Sequence, residues 1–275
     1  MKFLDSLADD LKENLLKQLR VLWTHTSTAI EGNTLTLGET AFVLSEGLTI
    51  KGKPLKDHRD VEGHARAVDL MLELVKKNRI AAGDLFDLHK LVITEPVVDV
   101  YKPIGNWKKE NNSTVITIGG RQIIIEYSNH WEIPQLMARW LEMLNGEIQA
   151  PKESEELVCS YARLHVSFVA LHPFGDGNGR IARLIANLPL LKSGQPPIII
   201  PQERRYDYLK MLAEYTFTHG VPSLQTPLIH EVAAPFDAFC SLCAASWHES
   251  MALVAAAHAL QQNRNKKVTV HPSTM

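Results

Sequence analysis

The chain has 275 residues, 45% hydrophobic and 22% charged, with a formal net charge of −2, values ordinary for a soluble globular protein with enough apolar material for a sizeable core. The near-neutral charge, with no long run of like charges, argues against a nucleic-acid partner held by an overall positive field. No stretch of about 18 apolar residues runs unbroken, so no membrane span is expected, and Cys159, Cys240 and Cys243 form no even disulfide framework and fit a reducing, cytoplasmic compartment.

In chain order, Leu4, Leu7, Leu11, Leu15, Leu19 and Leu22 recur at helical steps, which predicts an amphipathic helix over residues 3–25 rather than a secretory signal. "LTLGETAFVLSEGL" follows the same pattern, and in "VEGHARAVDLMLELVKKN" Val61, Ala65, Val68, Leu72 and Val75 are expected to share a buried face. "DLFDLHKLVI" continues the helical theme. From Pro96 the chain turns rich in Val, Ile, Asn and Gly, and β-branched runs around Gly119-Gly120 predict a hairpin. Helical spacing returns in "IPQLMARWLEMLNGEI" and in "ESEELVCSYARLHVSFVALH", with a stripe of Leu157, Tyr161, Leu164, Phe168 and Leu171. "RIARLIANLPLLKSG" reads as one helix with Pro189 near its end, "QPPIIIP" as an extended connector, and the remainder as helix with a loose tail. Cys240 and Cys243 form a CxxC inside an alanine-rich apolar segment and read as buried helical thiols, and "MALVAAAHAL" reads as core packing. The sum is one compact, mostly α domain with one hairpin.

The densest chemistry lies in "LHPFGDGNGRIAR", residues 171–183. Gly175, Gly177 and Gly179 let successive backbone N–H groups converge, and the helix that follows adds its free N-terminal N–H groups, which together make an anion nest. Arg180 and Arg183, three apart, are expected to project the same way as two phosphate-binding forks. Asp176 suits a divalent ion that bridges phosphates, because Mg²⁺ takes only one or two protein carboxylates. His172 at the loop entrance is placed to take a proton from an attacking hydroxyl. No Lys-Ser or Lys-Thr follows the glycines, so the loop is not a P-loop. Counted from Asp176, Ile181 and Asn187 stand where an EF-hand needs Gly and Glu, so it is not that either.

"HPFGDGNGRIAR" resembles the signature of the Fic family, HPFx[DE]GN[GK]RxxR, and matches it at every defined position. The supporting similarity runs from "DLFDLHKLV" to "PPIIIP". The resemblance implies an all-α Fic fold with a small β-hairpin flap, a substrate ATP with Mg²⁺, and transfer of AMP to a Ser, Thr or Tyr hydroxyl of another protein. Carried onto this chain, it makes His172 the general base, Phe174 a buried anchor and Asp176 the metal ligand. Gly177, Asn178 and Gly179 line the anion hole, and Arg180 and Arg183 hold the nucleotide phosphates. Val115 faces the nucleotide, Tyr208 contacts adenine, and the flap, about residues 108–127, grips the target segment as an added strand. "STAIEGN", residues 27–33, resembles the family's inhibitory motif [ST]xxxE[GN], attached on the N-terminal side. A helix ending at Gly32 then exposes Glu31, whose carboxylate pairs with Arg183 and keeps it from the γ-phosphate.

The implied division is an N-terminal helical region 1–82, a catalytic core 83–220 with the signature loop 172–183, and a C-terminal helical extension 221–275. Rival readings stay open: removal of AMP with Glu31 orienting water, transfer of another phosphate-containing group, or a dormant nucleotide-binding module. Self-modification is a further outcome, and Glu31 reaches either its own site or a neighbour's in a homodimer.

Overall fold

Elements in chain order are set by the apolar spacing and by local caps, and the computed structural model describes residues 1–94, 102–118, 121–150, 153–231 and 234–269. The helix α1, Asp9–Ile30, opens with Asp9 and Asp10 in its first turn, where carboxylates complement the helix dipole. It begins later than the leucine spacing predicts. Lys2–Leu4 is a separate 3-10 turn, and Ser6 with φ 66° breaks the path between the two. The apolar stripe nonetheless continues across the break, since Leu4 and Leu7 are buried in the same core as Leu11, Leu15 and Leu19.

The helix α2, Leu37–Glu46, starts at a Thr36–Glu39 capping box and stops at Gly47 in the left-handed region, φ 67°, a start and a stop both written in the sequence. Next come α3, Leu55–Leu74, and α4, Ala82–Val92. The buried face of α3 departs from the expected one: Met71 and Leu74 fill the core, whereas Leu72 and Val75 are only partly buried. The strands β1, Ser113–Ile118, and β2, Arg121–Glu126, form an antiparallel pair in which Val115 opposes Ile124 and Thr114 opposes Ile125. The expected Gly119-Gly120 turn, residues 96–101 and the tail from 270 lie outside the described residues.

The helices α5, Ile133–Gln149, and α6, Ser154–Leu171, pack on each other, with Trp140 donating its indole N–H to Ser167 Oγ at 2.9 Å. All five residues of the expected α6 stripe are buried. Burying each such side chain is worth about 1.5–3 kcal/mol. The predicted single helix after the signature loop is two: α7, Asn178–Ile185, and α8, Leu188–Lys192, with Pro189 in the first turn of α8 rather than at a helix end. Proline is favoured there because that N–H has no helical partner. Asn187, between the two, donates to Arg183 O and Ile198 O at 2.9 Å each.

The helix α9, Arg205–His219, and the long α10, Ala234–Thr269, complete the order. Cys243 is buried and Cys240 half-buried on α10. The "MALVAAAHAL" stretch packs only one face: Ala257 is buried, Leu253 and Val254 are partly so, and Met251 and Leu260 are exposed. A single apolar cluster runs from Phe3 to Ala257, so the N-terminal, middle and C-terminal stretches share one core. No helix among the described residues is long and apolar enough to cross a membrane.

Candidate active site

The loop between α6 and α7 is held open from below. Phe174 is fully buried, stacked on His89 with ring centroids 4.0 Å apart and flanked by Trp107 at 5.2 Å. Asn178 spends its side chain on the same anchor: Oδ1 accepts from Phe174 N–H and Nδ2 donates to Phe174 O, each at 2.9 Å. With its side chain bound to Phe174, Asn178 offers its backbone N–H to the loop. Gly177 sits at φ 76°, a left-handed conformation open to glycine at little cost. The first hydrogen bond of α7 runs from Ile181 N–H to Gly177 O at 3.0 Å. The N–H groups of Asn178, Gly179 and Arg180 thus precede the helical ladder and form the positive end of its dipole.

His172 caps α6 at φ 51°. Its Nδ1 lies 3.2 Å from Val169 O, which as a donor leaves the lone pair on Nε2, the tautomer a base requires. The ring stacks on Tyr127 at 3.7 Å between centroids and 6° between planes. Burial pushes the imidazole down to about 4, with the Val169 carbonyl opposing and the nearby Lys108 ammonium adding to the shift. His172 is therefore neutral across the physiological range.

Asp176 points outward, its side chain 64% exposed, with Arg180 Nη2 at 3.6 Å from Oδ2. Oδ1 accepts from Gly177 N–H at 2.6 Å. Among the described residues no group of three or more His, Cys, Asp or Glu side chains gathers to hold a metal. One exposed carboxylate beside a cluster of N–H groups still fits a hard cation whose remaining ligands are phosphate and water.

The two arginines diverge instead of projecting together. Arg180 turns toward α3 and α4, donating to Val92 O at 3.1 Å with Asp60 Oδ1 at 3.8 Å. Arg183 turns toward α1, where Nε donates to Ser27 Oγ at 3.0 Å and Nη2 to Ser27 O at 2.9 Å. Nη2 also meets Glu31 Oε1 at 2.6 Å, an ion pair in which Arg183 is 3% and Glu31 44% exposed. Although desolvation works against it, the Arg183 guanidinium holds the Glu31 carboxyl below the usual range. An ideal Cβ on Gly179 would stand 2.8 Å from Glu31 Oε1, so the carboxylate lies over the N-terminus of α7. The pairing is made within one chain.

Two further expected residues lie outside the signature loop. Tyr208 is 1% exposed, and its hydroxyl accepts from Arg183 Nη1 at 3.1 Å and contacts His165 Nε2 at 3.1 Å. It backs Arg183 instead of offering an open face to a base. Val115, opposite Ile124 in the hairpin, is 57% exposed. Sequence reasoning gave no individual role to His89, Lys108, Asn112 or Tyr127, and named Ser27 only as the first position of the inhibitory motif. His89 accepts from Gly105 N–H at 2.8 Å through Nδ1, so Nε2 is its donor, 3.2 Å from Asp176 O. Its only sequence signal is a place on the apolar face of α4.

Residues 79–190 match the Fic/DOC family. The chain carries a Fic/DOC domain. The Fic chain is 30% identical over 226 residues to protein adenylyltransferase fic-1 of Caenorhabditis briggsae, covering 77% of this chain and 42% of that one. It is 34% identical over 193 residues to protein adenylyltransferase Fic of Drosophila virilis, covering 68% and 37%. The chain thus spans about two fifths of the length of these relatives. Its fold matches a Fic domain containing signaling protein from Bacteroides thetaiotaomicron, with a TM-score of 0.78 at 24% identity over 93% of each chain.

Proposed function

We propose that this chain is an autoinhibited protein adenylyltransferase, moving AMP from ATP to a Ser, Thr or Tyr hydroxyl of a target protein. The observation that carries the reading is the 2.6 Å pair of Glu31 and Arg183 laid over the N-terminus of α7, beside a histidine whose Nδ1 contact with Val169 O leaves the lone pair on Nε2. The names of the relatives, protein adenylyltransferases, agree with ATP as substrate and protein as acceptor.

In this reading the phosphates occupy the N–H groups of residues 178–180 and the guanidinium of Arg183. His172 Nε2 takes the proton of the target hydroxyl as its oxygen attacks the α-phosphorus, and the bond to pyrophosphate breaks. Protein–OH and ATP become AMP–protein and pyrophosphate, with the proton passing from His172 to solvent. Positioning and preorganised dipoles carry the rate. Asp176 is the residue that would hold Mg²⁺, which neutralises phosphate charge when bound. The hairpin receives the target chain, and residues 83–220 form the catalytic core.

Glu31 serves as the lock, because an anion already paired with Arg183 excludes a γ-phosphate. Its partial exposure also favours a second reading, removal of AMP from a modified protein with Glu31 orienting water. Incubation with radiolabelled ATP separates the cases. Glu31→Gly is expected to label itself or a target, and the double variant with His172→Ala to label nothing. A Glu31→Gly protein that binds ATP and labels nothing refutes the transferase reading. Loss of AMP from a modified target with wild type but not with Glu31→Gly establishes removal.

A further inference from the structure

Lys108 is a chemistry-bearing residue beside the candidate base that the transfer step does not use. It is 4% exposed, yet it carries an ammonium group beside the candidate base. Its backbone N–H donates to Pro173 O at 2.8 Å, and its Nζ lies 2.6 Å from Asn112 Oδ1 and 3.5 Å from Leu171 O. Asn112 in turn donates from Nδ2 to Phe174 O at 2.9 Å. The carbonyls of Leu171, Pro173 and Phe174 bracket His172 on both sides. All three are held by the segment that leads into β1.

The other end of the hairpin closes the same brace. Tyr127, just past β2, donates its N–H to Asn112 O at 3.2 Å and its hydroxyl to Thr114 Oγ1 at 3.0 Å. Its ring lies flat on His172. Among the described residues Lys108 Nζ meets only neutral acceptors, a costly setting for a buried ammonium. Burial accordingly pushes the Lys108 ammonium down to about 7.

We propose that Lys108, through Asn112 and the backbone of Leu171 and Pro173, is a positioning residue that fixes His172 against the hairpin root, so that the strand pair receiving the target also places the base. The inference rests on the assignment of His172 as the base. Among the described residues the charged or titratable groups facing His172 are Lys108, Tyr127, Asp176 and Glu31. Lys108 opposes a proton on the imidazole, whereas Asp176 and Glu31 favour one.

The test has two parts. In protein carrying Glu31→Gly, adding Lys108→Met is expected to lower kcat for AMP transfer ~10- to 100-fold, the scale of a displaced catalytic group. KM for ATP changes little, because the phosphate site is not touched. Lys108→Arg, which keeps a cation and donors, is expected to restore most of the rate. Equal kcat in Lys108→Met, or a rise in KM for ATP that accounts for the whole loss, overturns the proposal. Independently of activity, the His172 ring resonance, assigned by its absence in His172→Ala, is titrated by NMR with Glu31 in place. Its midpoint is expected to rise toward the ordinary histidine value in Lys108→Met and by less in Asn112→Ala. If Lys108→Met does not fold, the half-buried Asn112→Ala decides: unchanged titration and unchanged kcat overturn the proposal. A Glu31→Gly protein without transfer, together with a shifted His172 midpoint, removes the proposed activity and leaves the placement of His172 standing.

Discussion

Removing Glu31 should tighten ATP binding, and the size of the gain follows from the acceptors Arg183 keeps. Four contacts hold the guanidinium: Ser27 Oγ, Ser27 O, Tyr208 Oη and Glu31 Oε1. Only the last is charged. A hydrogen bond to a charged group is worth about 1.5–3 kcal/mol, which converts to about 10- to 150-fold in affinity. Because Glu31 is 44% exposed, water screens the pair and the low end applies. Glu31→Gly is therefore expected to bind ATP about tenfold more tightly by calorimetry, with transfer gaining more than binding because the α-phosphate is also freed to seat. Glu31→Gln, which keeps the volume and an acceptor but drops the charge, should fall between wild type and Glu31→Gly. The added glycine costs about 0.5–1 kcal/mol of stability through chain entropy, visible as a small fall in Tm. If Glu31→Gly binds ATP no more tightly than wild type, the carboxylate does not compete with phosphate and the lock is refuted.

Gly179→Ala separates displacement from activation. Its Cβ would stand 2.8 Å from Glu31 Oε1 and 3.1 Å from Arg183 Nη1, so it pushes the carboxylate away while filling the phosphate position. ATP binding by calorimetry is expected to be lost rather than gained. Gly63→Ala places a Cβ against Leu91 O and 2.5 Å from Thr94 Cγ2, forcing α3 off α4. Urea denaturation should show a loss of about 1–3 kcal/mol, as for other overpacked contacts. His89 and His172 are pushed down to about 4, and His64 and His165 well below their ordinary value, each chiefly by burial. The unfolded chain takes up these protons below about pH 6.5 and the folded chain does not. Stability should therefore fall as pH drops from about 6.5 toward 4, by about 1.4 kcal/mol per pH unit for each histidine kept neutral. Among the described residues His64 has no hydrogen-bond partner at either ring nitrogen, so His64→Leu is expected to flatten that slope in urea titrations at several pH values. A slope unchanged by His64→Leu would show that this ring is not neutral and buried in solution.

Much of the site was legible because its information is short-range. The spacing of glycines, Asn178 and the arginines within residues 171–183 specifies a loop of open backbone followed by a helix N-terminus, and the structure has both. Helix starts and stops such as Thr36 with Glu39, and Gly47, are equally local. The α3 face shifted because helical spacing admits two adjoining stripes. Leu72 and Val75 lie next to Met71 and Leu74, and only the neighbours of α3 decide which pair is covered. The break at Ser6 and the restart at Pro189 were missed for a similar reason. Leucine periodicity runs straight across both, while the backbone turns to let the flanking segments pack.

What the sequence by itself determined is the set of groups on offer: a histidine, an aspartate, a glycine-rich backbone, two guanidinium groups and a distant glutamate at a helix end. Only the tertiary structure decided their pairing. Arg180 and Arg183 are three residues apart on one helix, yet one meets α4 and the other α1, because a guanidinium entering a buried setting must go where acceptors stand. Glu31 and Arg183 are 152 positions apart, and no spacing rule joins them. They meet because burying the apolar stripe of α1 carries its C-terminal end to the first turn of α7.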